Sequence, residues 1–325
     1  IMGSTNSRSI SNAKSPFEDK LAGTGELEQY LEYYGGRGLH AGGDTGSDTN
    51  VIDYITIASP GNATDFGDLT EARDHLGSCS NGKRGVFFGG NLASPGYTNV
   101  IDFVTVATTG NALDFGDLTT ATKELCACSN GTRGVTGGGR TPAGYVNVMD
   151  YVEIEKQGNA TDFGDLQAAR RSMGACASLT RGIFWGGRDP SSQTNKIDYI
   201  TIATTGNGTD FGDMYQGVYY NACCSDRDRG IEAGGYYNTN FYDEITFLTM
   251  ETKTSAASFG DLLGAAEMSA ACSDGSYAVW LGGNNSSNAA QDIIQYISNF
   301  YSPANAVDFG DLNTATRYGT GTSGD

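Results

Sequence analysis

The sequence predicts an all-β fold: a six-bladed β-propeller of four-stranded blades, closed into a ring. Two repeated motifs and the composition predict it. Asp65-Phe66-Gly67-Asp68-Leu69 returns at Asp114 to Leu118, Asp162 to Leu166, Asp210 to Met214, Ser258 to Leu262 and Asp308 to Leu312, with phenylalanines 49, 48, 48, 48 and 50 residues apart. Arg84-Gly85-Val86-Phe87-Phe88-Gly89-Gly90 recurs at the same period from Arg37, Arg133, Arg181, Arg229 and, with tyrosine leading, Tyr277. Glycine supplies 47 of 325 residues and charged residues only 18%, which fits many tight turns and excludes a coiled coil or a charge-rich tail. Repeats of 40 to 50 residues holding four short segments are the pattern of propeller blades.

The four segments follow in order. Segment a is a stretch of small residues ending near Cys79, and segment b is the Arg-Gly-apolar-Gly-Gly motif. Segment c is Val51-Ile52-Asp53-Tyr54-Ile55-Thr56-Ile57-Ala58, matched from Val100, Val148 and Lys196 and more loosely from Tyr242 and Asp292. Segment d is Thr64-Asp65-Phe66-Gly67-Asp68-Leu69. Segments b and c are rich in Val, Ile, Tyr, Phe and Thr and bounded by Gly, Asn, Pro and Ser, so they read as strands. Their nearly continuous apolar runs suit small sheets covered on both faces.

The ends of the repeat array predict closure. Residues 313 to 325 align with segment a and stop where b should begin, and that b is found at Gly36 to Gly43. A blade taking strand a from the C-terminal end and b, c and d from the N-terminal end leaves no unpaired seam. An open solenoid would need polar capping repeats instead. The propeller is expected to span residues 31–325, with residues 1–30 as an N-terminal arm that docks on a neighbouring subunit.

The order of Gly-Gly, apolar strand with tyrosine, aromatic before a turn, and return to Gly-Gly resembles the kelch repeat of galactose-oxidase-like propellers, with Phe66 and its equivalents where kelch repeats carry tryptophan. The run Ile-Asp-Tyr-Ile-Thr-Ile, Gly-Asn-Ala-Thr-Asp-Phe-Gly-Asp-Leu, Arg-Gly-Val-Phe-Phe-Gly-Gly is similar to repeats of virion structural proteins from marine, especially cyanobacterial, tailed phages. That resemblance implies a tail, fibre or capsid-surface protein that contacts the host.

Chemistry is less favoured than scaffolding. The formal charge of −18 opposes a phosphate backbone or an anionic lipid surface, so no nucleic-acid partner and no membrane insertion are expected. His40 and His75 are the only histidines, too few for most imidazole catalysis or metal cages. The copper-radical oxidation of the galactose-oxidase family lacks a matching constellation. Asp-Phe-Gly resembles a kinase magnesium motif, but no strand lysine or catalytic loop accompanies it. It reads as a structural turn in which Gly67 takes an unusual backbone angle and Asp65 and Asp68 accept nearby N–H groups. No metal and no cofactor are expected.

The other repeated residues are also read as structural. Arg37, Arg84, Arg133, Arg181 and Arg229 form a ring, each expected to pair with an aspartate of its own or the adjacent blade. Gly89 and Gly90 are expected to need positive φ or close backbone contact. Cys79, Cys128, Cys176, Cys224 and Cys272 occupy one position per blade as small packing residues of an inner strand, with reduced thiols that suit assembly in a host cytoplasm.

Binding is then expected where blades differ. The b-to-c connections diverge most and emerge on one face beside the d-to-a turns. They carry Tyr97, Arg140, Tyr145, Arg188, Tyr236, Tyr237, Asn238, Asn240 and Phe241, whose rings, amides and guanidinium groups suit a host surface glycan or protein receptor. The leading expectation is a non-enzymatic virion component presenting these loops for attachment or assembly, with other virion proteins as partners through residues 1–30. The alternatives are a carbohydrate-active enzyme using acidic residues near the axis and a free carbohydrate-binding module.

Overall fold

The computed structural model describes residues 35–267 and 270–324. The expected arm at residues 1–30 and its docking role lie outside them. Six antiparallel sheets, each with strands in the order a, b, c, d, stand around an axis, and no helix occurs among the described residues. In blade 2 the strands are Gly77–Ser80, Arg84–Phe88, Val100–Thr105 and Leu113–Asp117. The inner strands of neighbouring blades pack on one another in an unbroken circle, from blade 1 through blade 6 and back.

Closure takes the form that the repeat ends predict. Blade 1 joins Thr320–Gly324 as strand a to Arg37–Ala41 as strand b, with Leu39 opposite Thr322 and Ala41 opposite Thr320. Its strands c and d are Val51–Thr56 and Thr64–Asp68. The outer rim closes too: the Ala63 N–H donates to the Asp311 carbonyl of blade 6 at 2.8 Å, and the Asn62 side chain accepts from the Asp311 N–H at 3.1 Å.

The Asp-Phe-Gly-Asp motif is a strand, which corrects its reading as a turn. It forms the outermost strand and carries a β-bulge: Gly67 faces Ile52 and Asp65 faces Asp53, so Phe66 is the extra residue. The bulge turns Phe66 inward to 2% exposure, edge-on to Tyr54 at 6.1 Å. All six blades repeat this aromatic pair. Gly67 lets the next blade approach, because a Cβ there would lie 2.5 Å from the Gly110 carbonyl. Asp65 stays exposed on the outer wall, where charge discourages edge-to-edge pairing of sheets.

The arginine ring does not pair with the motif aspartates. Arg84 lies over the Phe103 ring at 4.9 Å and donates to the Ile154 carbonyl of the next blade at 3.0 Å. Arg37, Arg133, Arg181 and Arg229 repeat the arrangement over Tyr54, Tyr151, Tyr199 and Phe247, donating to the carbonyls of Val106, Ala203, Met250 and Phe300. A guanidinium carries several donors in a plane, so it can cap a carbonyl while stacking on an aromatic face. The carboxylates that do reach this ring are Glu153, Glu155 and Glu251, from the ends of strand c.

Three further contacts lock blade to blade. The aspartate inside strand c is buried and receives the d-to-a turn: Asp102 accepts from the Thr70 N–H at 3.2 Å and the Thr70 hydroxyl at 2.6 Å. In four of five blades the glycine after the arginine makes room for the preceding blade's cysteine, as a Cβ on Gly182 would stand 2.7 Å from Cys128 Sγ and one on Gly134 2.6 Å from Cys79 Sγ, whereas Gly85 faces Thr322. The Gly-Gly doublets turn the chain out of strand b in the left-handed region, with φ of 55° at Gly89 and 122° at Gly90. A Cβ on Gly89 would meet the Thr122 carbonyl at 2.4 Å.

Candidate functional site

The b-to-c connections and d-to-a turns share one face, and the axis opens there. Two residues before strand a stand His75, Glu124, Ser172, Tyr220 and Tyr318 in five blades, all with φ between 52° and 60°. Non-glycine residues seldom adopt this conformation, which costs on the order of 1–3 kcal/mol and clusters at functional sites. Here the backbone forms a belt about the axis. The His75 N–H donates to the Tyr318 carbonyl at 2.7 Å, Glu124 to His75, Ser172 to Glu124 and Tyr220 to Ser172, each at 2.8 Å. The side chains of these residues line an axial mouth of about 70 Å³.

Arg171 ties this mouth to the outer loops. Its guanidinium pairs with Glu124 at 2.5 Å, and donates to the Tyr145 hydroxyl at 2.8 Å and the Tyr220 hydroxyl at 3.2 Å. Desolvation lowers its pKa, but Glu124 and Tyr220 raise it by more, so Arg171 stays cationic. His75 stacks on Tyr318 at 4.3 Å, and Tyr220 lies 5.5 Å from Tyr318. Tyr219, itself buried, continues the ring contacts, 4.9 Å from Tyr220 and 5.6 Å from Tyr236, which meets Phe241 at 4.9 Å. The rings and Arg171 thus make a continuous aromatic and cationic band from the axis to the blade 5 loop.

The loop residues expected to bind separate into two groups. Tyr145, Arg188, Tyr236 and Phe241 join the band, with Arg188 over Tyr219 at 5.6 Å. Two of the loops are short hairpins, Arg140–Thr141 with Gly144–Tyr145 and Tyr236–Tyr237 with Asn240–Phe241, which hold their residues on rigid backbone. Arg140, Asn238 and Asn240 are exposed on them. Tyr97 stands apart beside Lys123, 4.8 Å from the ammonium. Tyr237 packs against the apolar core between blades 4 and 5, edge-on to Tyr242 at 6.2 Å. The expected set omits His75, Glu124, Tyr220 and Tyr318, whose sequence signal is their shared place two residues before strand a, and Arg171 and Tyr219, which stand one residue further upstream.

Below the mouth the axis is narrow and lined by small side chains. Its two compartments, about 100 and 80 Å³, are bordered by Ser, Ala, Cys, Gly and Thr with Leu, Met and Asn221, and no carboxylate among the described residues lines them. The cysteines here are free thiols. Burial pushes Cys126 and Cys176 up to about 12, which keeps them protonated and unreactive. No protein-family model matches this chain, and no curated protein matches it.

Proposed function

We propose that this propeller is a non-catalytic binding module whose ligand face surrounds the axial mouth, displayed on a phage virion for attachment to a host surface glycan. The band of aromatic rings and guanidinium groups carries the reading. Ring faces cover the apolar faces of sugars, while Arg171, Arg188 and the exposed asparagines offer donors to hydroxyl and carboxylate groups. The hairpins and the backbone belt hold those groups before a ligand arrives, which lowers the ordering cost of binding. The virion assignment rests on the resemblance of the repeats to those of phage structural proteins.

The carbohydrate-active alternative needs a pair of carboxylates in reach of one glycosidic bond. At the mouth Glu124 is engaged by Arg171 and Asp74 lies 3.0 Å from His75, and no carboxylate among the described residues lines the channel below. A glycan array run beside a hydrolysis assay on host envelope polysaccharide tests the proposal. Retention without turnover is expected, reduced at least tenfold, about 1.4 kcal/mol, by Tyr220→Ala combined with Tyr236→Ala. Turnover abolished by Glu124→Gln would establish the enzyme reading instead. Antibody labelling of intact particles tests the virion assignment separately, and particles without label would overturn it.

A further inference from the structure

The six blades serve as controls for one another, and blade 3 departs from its neighbours at a buried charge. In blade 2, Arg73 from the d-to-a turn is fully buried and its guanidinium donates to the Gly89 and Val100 carbonyls, both at 2.9 Å, and to Asp102 at 2.8 Å. Arg170 does the same in blade 4, reaching Gly186 at 2.7 Å, Lys196 at 2.9 Å and Asp198 at 2.7 Å. Blade 3 keeps the receiving side. Asp150 occupies the position of Asp102 and Asp198, and the Gly138 N–H meets the Val148 carbonyl at 3.0 Å as Gly89 meets Val100.

The arginine is missing. Thr122 stands where Arg73 and Arg170 do, and Thr136 stands where strand b carries Phe87 and Phe184. Both exchanges remove volume at the same place, leaving a pocket of about 130 Å³ bordered by Thr119, Thr122, Thr136, Thr141, Val148 and Asp150. It opens on the loop face between the exposed residues Thr119, Thr120 and Val148. Asp150 is 5% exposed and accepts hydrogen bonds from Thr119 at 2.7 to 3.0 Å, but no cation of the described chain reaches it. Blades 1, 5 and 6 also lack the arginine, but blade 1 has His40 in the Phe87 position and Asn313 donating to its buried Asp53 at 2.7 Å. Blade 6 has Gln295 in place of the aspartate, and blade 5 has Glu232 and Thr246 in these positions with only about 10 Å³ remaining.

We propose that the blade 3 pocket binds a guanidinium group supplied from outside, carried by a small alkylguanidine or by an arginine side chain of a protein docked on the loop face. The guest group would take the Asp150 carboxylate and the Gly138 and Val148 carbonyls, as Arg73 takes their counterparts. A buried carboxylate gains from such a partner because its charge is otherwise uncompensated, and planar donors match a carboxylate with neighbouring carbonyls. The proposal concerns blade 3 alone, so its outcome is independent of glycan binding at the axial mouth.

Calorimetric titration of the full chain with propylguanidinium, and with neutral propylurea as its isostere, tests it. Saturable binding of the guanidinium is expected, at least tenfold tighter than the urea. Asp150→Asn should abolish it. Thr122→Arg should abolish it while raising the melting temperature, because the chain then fills the site as Arg73 does. Thr136→Phe closes the apolar side and gives an independent check should Thr122→Arg fold poorly. A capped peptide with one arginine that binds more tightly than propylguanidinium would point to a protein partner, and one that binds more weakly to a free small ligand. Equal affinity for guanidinium and urea, binding that survives both filling variants, or no binding of any probe would overturn the proposal.

Discussion

A cysteine in one blade and a glycine in the next share a single space. Gly182→Ala should cost about 1–3 kcal/mol by forcing Cys128 Sγ from a position 2.7 Å away. Adding Cys128→Ala should restore about 1 kcal/mol of that loss, since the two side chains contact each other. Denaturant melts of both single variants and the double variant measure the coupling, and strictly additive costs would refute the shared space. Glu232 supplies a second test. Burial pushes its carboxyl up to about 8 against the ordinary 4.5, while the Thr246 hydrogen bond pulls it back. The native state then binds the proton more tightly than the unfolded chain, so this stabilisation is complete below about pH 4.5 and is lost as pH rises through about 8. Buried His40, lowered to about 4, acts in the opposite direction, losing its stabilisation as pH falls from 6.5. Glu232→Gln should therefore match the parent near pH 5 and melt several degrees higher near pH 8.5. An unchanged difference between the two pH values would show that Glu232 holds no such proton.

The outer strand was only partly legible in the sequence. Its period and its inward Phe66 follow from repetition, because every blade faces the same packing constraint and keeps the same residue. The bulge was not legible, since Gly67 and two aspartates also suit a turn, and only the approach of Gly110 from the next blade distinguishes the two. The arginine partners were hidden for a related reason: a backbone carbonyl leaves no mark in sequence, whereas aspartates nearby invite pairing. The mouth was hidden by the opposite effect. His75, Glu124, Ser172, Tyr220 and Tyr318 differ in type while sharing one backbone position, so no motif announces them. A pair of glycines tests the account of the outer strand. A Cβ on Gly116 would lie 2.5 Å from the Gly158 carbonyl, while one on Gly61 would meet nothing within 4 Å. Gly116→Ala should cost about 3 kcal/mol or more, and Gly61→Ala should be neutral or stabilise by up to about 1 kcal/mol. Similar melting of the two variants would remove the close approach as the reason for the glycine.

For the whole molecule, closure couples every blade. The blades touch at the axis through the backbone belt, midway through Asp102 and its equivalents, and at the rim through Asn62, Asn111, Asn159, Asn207 and Asn305, which each accept from a backbone N–H of the preceding blade. A ring has no free terminal repeat, so its melting should be cooperative, without the end fraying of an open array. The exposed aspartates of the outer wall, part of a net charge of −18, repel the wall of an approaching copy. The proposed ligand face depends on this closure, because Tyr318 from the last repeat stacks on His75 from the second blade. The most direct test is a density map of the purified chain in which blades can be counted and both repeat ends traced. The account predicts six sectors, with Thr320–Gly324 hydrogen-bonded to Arg37–Ala41 inside one blade. Five or seven sectors, or an open arc with those two strands in different blades, would contradict it.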